Sequence, residues 1–307
     1  MLGEPLLELS ADQPLETAEQ LSLSFSGDAL NAAAASAAAG VRTFLVSRVG
    51  EDEIGTRLLR YAAGLGVETT AVRRGPEPTG AYLVGADPEG RRDFFYLRTG
   101  SAAAAMRPSD LDIDALERAD VLLVGGIAMA SSPTLADTVV EAAQRVSRAG
   151  GHVVYDPNFR RRLTTSGRAR AHLERLAPHL SVVVPSTPSD TRALVDSEDP
   201  RKSVARLREL GCRDIVITAG TEGAYLSLAA SGDLVHVPAL PAPDVRDATG
   251  AGDVFVGTLA AGLARGPLDV ELVRTAAAAA ALSMAGRGGT GHLAPRAEVE
   301  ALARRDA

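Results

Sequence analysis

The chain has 307 residues, 46% of them hydrophobic, and a formal net charge of -7. That charge argues against a nucleic-acid surface. With no bilayer-length apolar run and no charged-then-apolar leader at Met1, a soluble, unsecreted, cytoplasmic protein is expected. The single cysteine, Cys212, excludes an internal disulfide and a thiolate metal cluster, and the five histidines form no His-x-x-x-His pair.

In chain order, "LSLSFSGDALNAAAASAAAG" reads as an alternating strand running into an alanine-rich helix, and "VRTFLVSRVG" leads to a helix near 53–64. Residues 79–101 alternate on both sides of the turn "ADPEG" and read as a β-hairpin. From residue 110 onward the runs at 120–126, 152–156, 181–186 and 214–220 are short strands. They alternate with helices at about 133–149, 188–196, 200–210, 253–265 and 269–285. Strand-helix alternation of this kind predicts an α/β fold, with a mainly parallel sheet covered by helices on both faces. The rims of such sheets gather ligands, so "YDPNFR", "VPSTPSD", "ITAGTEG" and "DATGAGD" are expected along one edge. The hairpin, with segments at about 10–25 and 72–100, is expected to form a small β-sheet lid inserted in a single domain spanning 1–307.

Lysine occurs once, as Lys202 in Pro200-Arg201-Lys202-Ser203, so neither a phosphate-binding Gly-Lys-Ser/Thr loop nor a protein-kinase strand lysine exists. Any nucleotide phosphate must therefore be handled by backbone amides, arginine and metal. Gly220 and Gly223 in "ITAGTEGA" fit either an ordinary strand-to-strand turn or a backbone passage close to phosphates. In "DATGAGD", amides of Gly250, Ala251 and Gly252 at a helix N-terminus would face one concavity, favourable to an anion. Asp253 beside them is either a helix cap or a reacting carboxylate.

These segments resemble the ribokinase-like, or PfkB-type, carbohydrate kinases. "DATGAGDVFVGTLAAGL" resembles their C-terminal signature and "GDALNAAAASAAAG" their N-terminal one, with "DPNFR" and "ITAGTEGA" in matching order. Within that family, "GEPLLELS", "GDALN", "FFYLRTGSAAAAM" and "YDPNFRRRL" are most similar to 2-keto-3-deoxygluconate kinases. The resemblance implies a three-layer α/β/α fold with ATP and Mg²⁺ as cofactors; it admits a monovalent cation. It assigns Asp253 as general base and Gly250, Ala251 and Gly252 as the anion hole. Implied sugar-acid contacts are Gly27, Asn31, Tyr82, Tyr96, Arg98, Arg160 and Asp253. Implied nucleotide contacts are Ser186, Thr218, Gly220, Gly223, Gly250 and Gly252. Paired arginines suit a carboxylate, where a neutral sugar would want Asn, Asp or Glu.

The chain departs from the family pattern in three places. Little apolar sequence precedes Gly3, so a shortened first strand, or a start further upstream, is expected. The family's Asn-x-x-Glu is "PSTPSD" here, leaving Asp190, through water, as the candidate metal contact, and Thr218 replaces a basic residue. The implied reaction is phosphorylation of the terminal hydroxyl of 2-keto-3-deoxygluconate, or a related keto-deoxy sugar acid, to the 6-phosphate. Alternatives are a kinase for fructose or a ribose compound, or a catalytically silent sugar sensor. A half-buried lid sheet with apolar Phe94 and Phe95 makes a homodimer through the lid plausible.

Overall fold

Alternation along the central strands sets the layering. Leu122, Val124, Val153, Tyr155, Val183, Ile215 and Ile217 point to one face and pack on the helices Pro133–Arg148, Ser166–Leu176 and Pro200–Glu209. Leu123, Val154, Val182 and Val216 point to the other, against the helices Ala251–Leu263 and Val270–Ser283. Side chains of successive strand residues must alternate, so a sheet whose strands are apolar on both faces needs helices on both sides. The result is the three-layer α/β/α architecture. The computed structural model describes residues 1–86 and 92–305.

Val121–Gly125, His152–Asp156, Val182–Val183 and Asp214–Thr218 pair in parallel, and Ala224–Ser227 and Val235–Val237 extend the sheet antiparallel. The short first strand is reduced to a bridge: Leu2 lies in parallel between Val46 and Val124. Among the described residues no helix is long and apolar enough to cross a membrane.

The second sheet departs from the expected segments. Its four strands, in order, are Ser22–Ser26, Leu6–Ser10, Ala81–Ala86 and Arg92–Leu97. Residues 6–10, ahead of the expected 10–25, form an inner strand, parallel to Ala81–Ala86. Val72–Gly75, assigned above to the lid, pairs instead with Ser47–Gly50 beside the core. The hairpin strands pair from Ala81↔Leu97 to Ala86↔Arg92; residues 87–90 of its expected turn lie outside the described residues. Period-two alternation puts Glu8, Tyr82 and Tyr96 in one cross-sheet row, and Leu9, Leu23, Leu83 and Phe95 in another on the opposite face.

Candidate active site

The stretch around Asp253 is built by two helices packed side by side. The helix Asp28–Ala38 begins after Gly27, and its Asn31 lies buried one turn in. Asn31 Nδ2 donates to Asp253 Oδ2 at 2.8 Å, while Ser26 Oγ donates to Asn31 Oδ1 at 3.3 Å. From the other side, Asn158 Nδ2 donates to Asp253 Oδ1 at 3.5 Å. Asp253 sits in the first turn of the helix Ala251–Leu263, where four N–H groups have no partner within the helix.

The anion hole differs from expectation in one donor. The Ala251 amide donates to Ala248 O at 3.2 Å, closing the turn, so it is spent inside the protein. Gly250, Gly252 and Asp253 line the cavity, and Ala251 does not. Gly250 has φ +82°, and a Cβ there would lie 2.3 Å from Gly289 Cα. Gly250→Ala therefore meets both a left-handed backbone and a backbone clash. It is expected to cost about 2 kcal/mol of stability and to lower turnover by about 10²-fold as the hole is displaced. Thermal denaturation and initial rates check both effects.

The cavity in front of this turn has a volume of about 800 Å³. Arg160, Arg161, Arg162 and Arg246 line it, together with Ser186, Thr218, Thr249, Tyr96 and Asp156. Arg162 also reaches Phe94 O on the second sheet, tying the loop to that strand. Asp247 accepts from the Thr249 amide at 2.9 Å and the Gly288 amide at 2.8 Å, joining the loop before the helix to a second glycine-rich loop.

Electrostatics concentrate on the carboxylates. Burial, then Asp28, pushes Asp253 up to about 6, while Asn31 and Arg160 oppose the shift. Burial also raises Asp156 well above the usual carboxylate range, and Asp190, Asp253 and Asp28 add to it. A carboxyl poised near neutrality and facing a cleft is what general-base chemistry requires.

Several residues fall elsewhere than the resemblance implied. Arg98 is 6% exposed, forms an ion pair with the buried Glu4, and donates to Ser131 Oγ; it does not line the cavity. Ser101 Oγ also donates to Glu4, so the acid holds the arginine from within. Tyr82 is buried, with its hydroxyl on Glu8, and its ring lies 6.3 Å from that of Tyr96. Gly220 and Gly223 do not line the cavity either. A Cβ on Gly223 would lie 2.2 Å from Val237 O, so sheet packing explains that glycine.

Asp190 is buried and spends both carboxylate oxygens on protein donors. The Phe159 amide and the Ser186 amide and hydroxyl each reach it at 2.7 Å. That makes it a brace between two rim loops, and it also lines the cavity. Among the described residues no group of three or more His, Cys, Asp or Glu is placed to hold a metal. The sequence reading missed Asp28, Asp156, Asn158, Asp247 and Arg246, although each lies within or beside a quoted motif.

The model of the pfkB family of carbohydrate kinases matches residues 3–296. The 2-dehydro-3-deoxygluconokinase of Thermoproteus tenax is 33% identical, over 98% of this chain and 92% of its own. A fructokinase of Klebsiella pneumoniae is 31% identical, over 78% of this chain and 76% of its own. A ribokinase II of Escherichia coli, solved with ATP and Mg²⁺, superposes with a TM-score of 0.88 at 25% identity, over 99% and 98% of the two chains.

Proposed function

The chain belongs to the pfkB family of carbohydrate kinases, and from that premise we propose that it transfers the terminal phosphoryl group of ATP to 2-keto-3-deoxygluconate or a related keto-deoxy sugar acid, giving the 6-phosphate. It is a phosphotransferase acting on a sugar hydroxyl. One observation carries the mechanism: Asp253 is held by Asn31 at 2.8 Å beside the open amides of a helix N-terminus, facing an arginine-lined cavity.

With the sugar's terminal hydroxyl in front of Asp253, the carboxylate takes the proton as the new oxygen–phosphorus bond forms. The bond from phosphorus to the bridging oxygen breaks, and its electron pair leaves on ADP. The Gly250 and Gly252 amides hold the phosphoryl oxygens while charge is redistributed. Arg160, Arg161, Arg162 and Arg246 offer further positive charge along the cavity, in place of the lysine that phosphate loops use. A Mg²⁺ bound in this cavity would be contacted through water by Asp190, which lines it, and would neutralise phosphate charge. Because Asp253 must be ionised, kcat/KM is expected to fall on the acid side with a midpoint at about 6. A flat profile down to pH 5 would contradict the base assignment.

The acid substrate rests on similarity to the Thermoproteus tenax enzyme and on Arg160, which lines the cavity. A second reading, a kinase for a neutral ketose, is favoured by the Glu4–Arg98 ion pair, which neutralises one of the two arginines assigned to the acid. Initial rates on keto-deoxy acids, fructose and ribose separate the two. The acid is expected to be preferred, and Arg160→Ala to raise its KM about tenfold or more while leaving the KM of fructose nearly unchanged. Preference for fructose in the unmodified enzyme would overturn the acid reading.

The four-stranded sheet acts as the lid, with residues 1–307 working as one kinase domain. Its outer face carries Phe95 (58% exposed), Leu97 (52%) and Leu23 (37%), an apolar surface suited to a second copy of the chain.

A further inference from the structure

Asp28 is an acid beside the site that the reaction above leaves without a task. It lies one turn before Asn31 on the helix Asp28–Ala38, so the two side chains share a face and Asn31 ties that face to Asp253. The end of the strand Val121–Gly125 makes room for its carboxylate. A Cβ on Gly125 would lie 2.4 Å from Asp28 Oδ2, so any other residue there would displace the acid. We propose that Asp28 is a positioning residue for the phosphoryl transfer, whose negative charge, seated in the Gly125 slot, sets the proton affinity of Asp253. This rests on the reading of Asp253 as the base.

The surroundings agree with that role. After burial, Asp28 is the largest influence raising Asp253. Burial also raises Asp28 itself, while the guanidinium groups of Arg98 and Arg160 oppose that shift and favour its charged form. Arg98 is in turn fixed by Glu4 and Ser131, so the buried ion pair finds a use beneath the sugar site. The other groups bearing on Asp253 are Tyr82 from the lid sheet, with Glu8 behind it, Asp156 from the strand His152–Asp156, and Arg160 from the loop that follows. Asn31 and Asn158 contribute neutral donors. Asp247 is engaged by the Thr249 and Gly288 amides, and Arg246 by Asp244. Asp28, Asp156 and Asp253 titrate as a coupled set. With Asp28 made neutral, the Asp253 titration moves to lower pH.

The test is a pH titration of protein labelled with ¹³C at the aspartate carboxyls, with the Asp253 resonance assigned by its loss in Asp253→Asn. Asp28→Asn is expected to move that titration down by about half a pH unit or more, and the acid limb of kcat/KM with it. Asp28→Glu, which keeps the charge, restores most of the shift. Asp28→Ser serves as the neutral variant if Asp28→Asn does not fold. An Asp253 titration unmoved or raised in the neutral variants overturns the proposal. A resonance that moves while the rate limb stays put supports the electrostatic role and overturns the base assignment, so the two failures are told apart.

Discussion

Asp253→Asn is expected to lower kcat by about 10²–10⁴-fold with the KM for sugar changed by no more than about threefold. The asparagine keeps the shape of the side chain and one carbonyl oxygen, which the Asn31 donor at 2.8 Å can still use. What is lost is the acceptor for the hydroxyl proton, a group needed only as the transition state forms. The same change relieves a buried charge beside Asp28 and Asp156. The folded protein holds the Asp253 proton more tightly than the unfolded chain. That carboxylate therefore costs stability progressively as pH rises from the unfolded value to about 6, and fully above it. Asp253→Asn should accordingly melt no lower than the parent protein at pH 8, while turning over far more slowly. Near-normal turnover, or a defect confined to KM, would contradict the assignment.

Arg98→Ala is expected to act mainly on stability, by about 3–5 kcal/mol. Arg98 and Glu4 are 6% and 1% exposed, so removing the cation strands a buried carboxylate that keeps the Ser101 hydroxyl as a donor. Burial already holds Glu4 above the usual carboxylate range, with Arg98 the main opposing influence, so the variant raises it further. A raised carboxylate binds its proton more tightly folded than unfolded, and stability falls as pH climbs from the unfolded value to the folded one. The deficit should therefore be smaller near pH 5 than at pH 8. Denaturant melts at the two pH values measure it. A variant as stable as the parent, with only a raised sugar-acid KM, would restore Arg98 to the role that its motif implies.

These residues also mark how much was legible in the chain alone. Local patterns carried far: "HVVYD" is a strand at 152–156, and the glycine-rich turn before Asp253 opens a helix at Ala251. The helix Ser166–Leu176 went unread because arginines dilute its apolar stripe. The strand Leu6–Ser10 is short, follows a proline, and owes its place to pairing with residues over seventy positions away. Site composition was readable from motifs, whereas charge balance was not. Nothing near Arg98 in sequence announces that Glu4 neutralises it. Nor does "TGAGD" show that the Ala251 amide turns back to Ala248, leaving Gly250 and Gly252 to face the cavity. Such facts belong to contacts between distant segments, and Asp190 bracing Phe159 and Ser186 is another.

In the proposed reaction, phosphorus passes from ATP to the terminal hydroxyl of a keto-deoxy sugar acid with Asp253 as base. The most direct measurement is ³¹P NMR of the protein incubated with Mg-ATP and 2-keto-3-deoxygluconate, run beside Asp253→Asn. ADP and a phosphate monoester coupled to the C6 protons are expected in equal amounts, with little of either formed by the variant. ADP without a sugar ester, an ester at another carbon, or equal yields from the variant would contradict it.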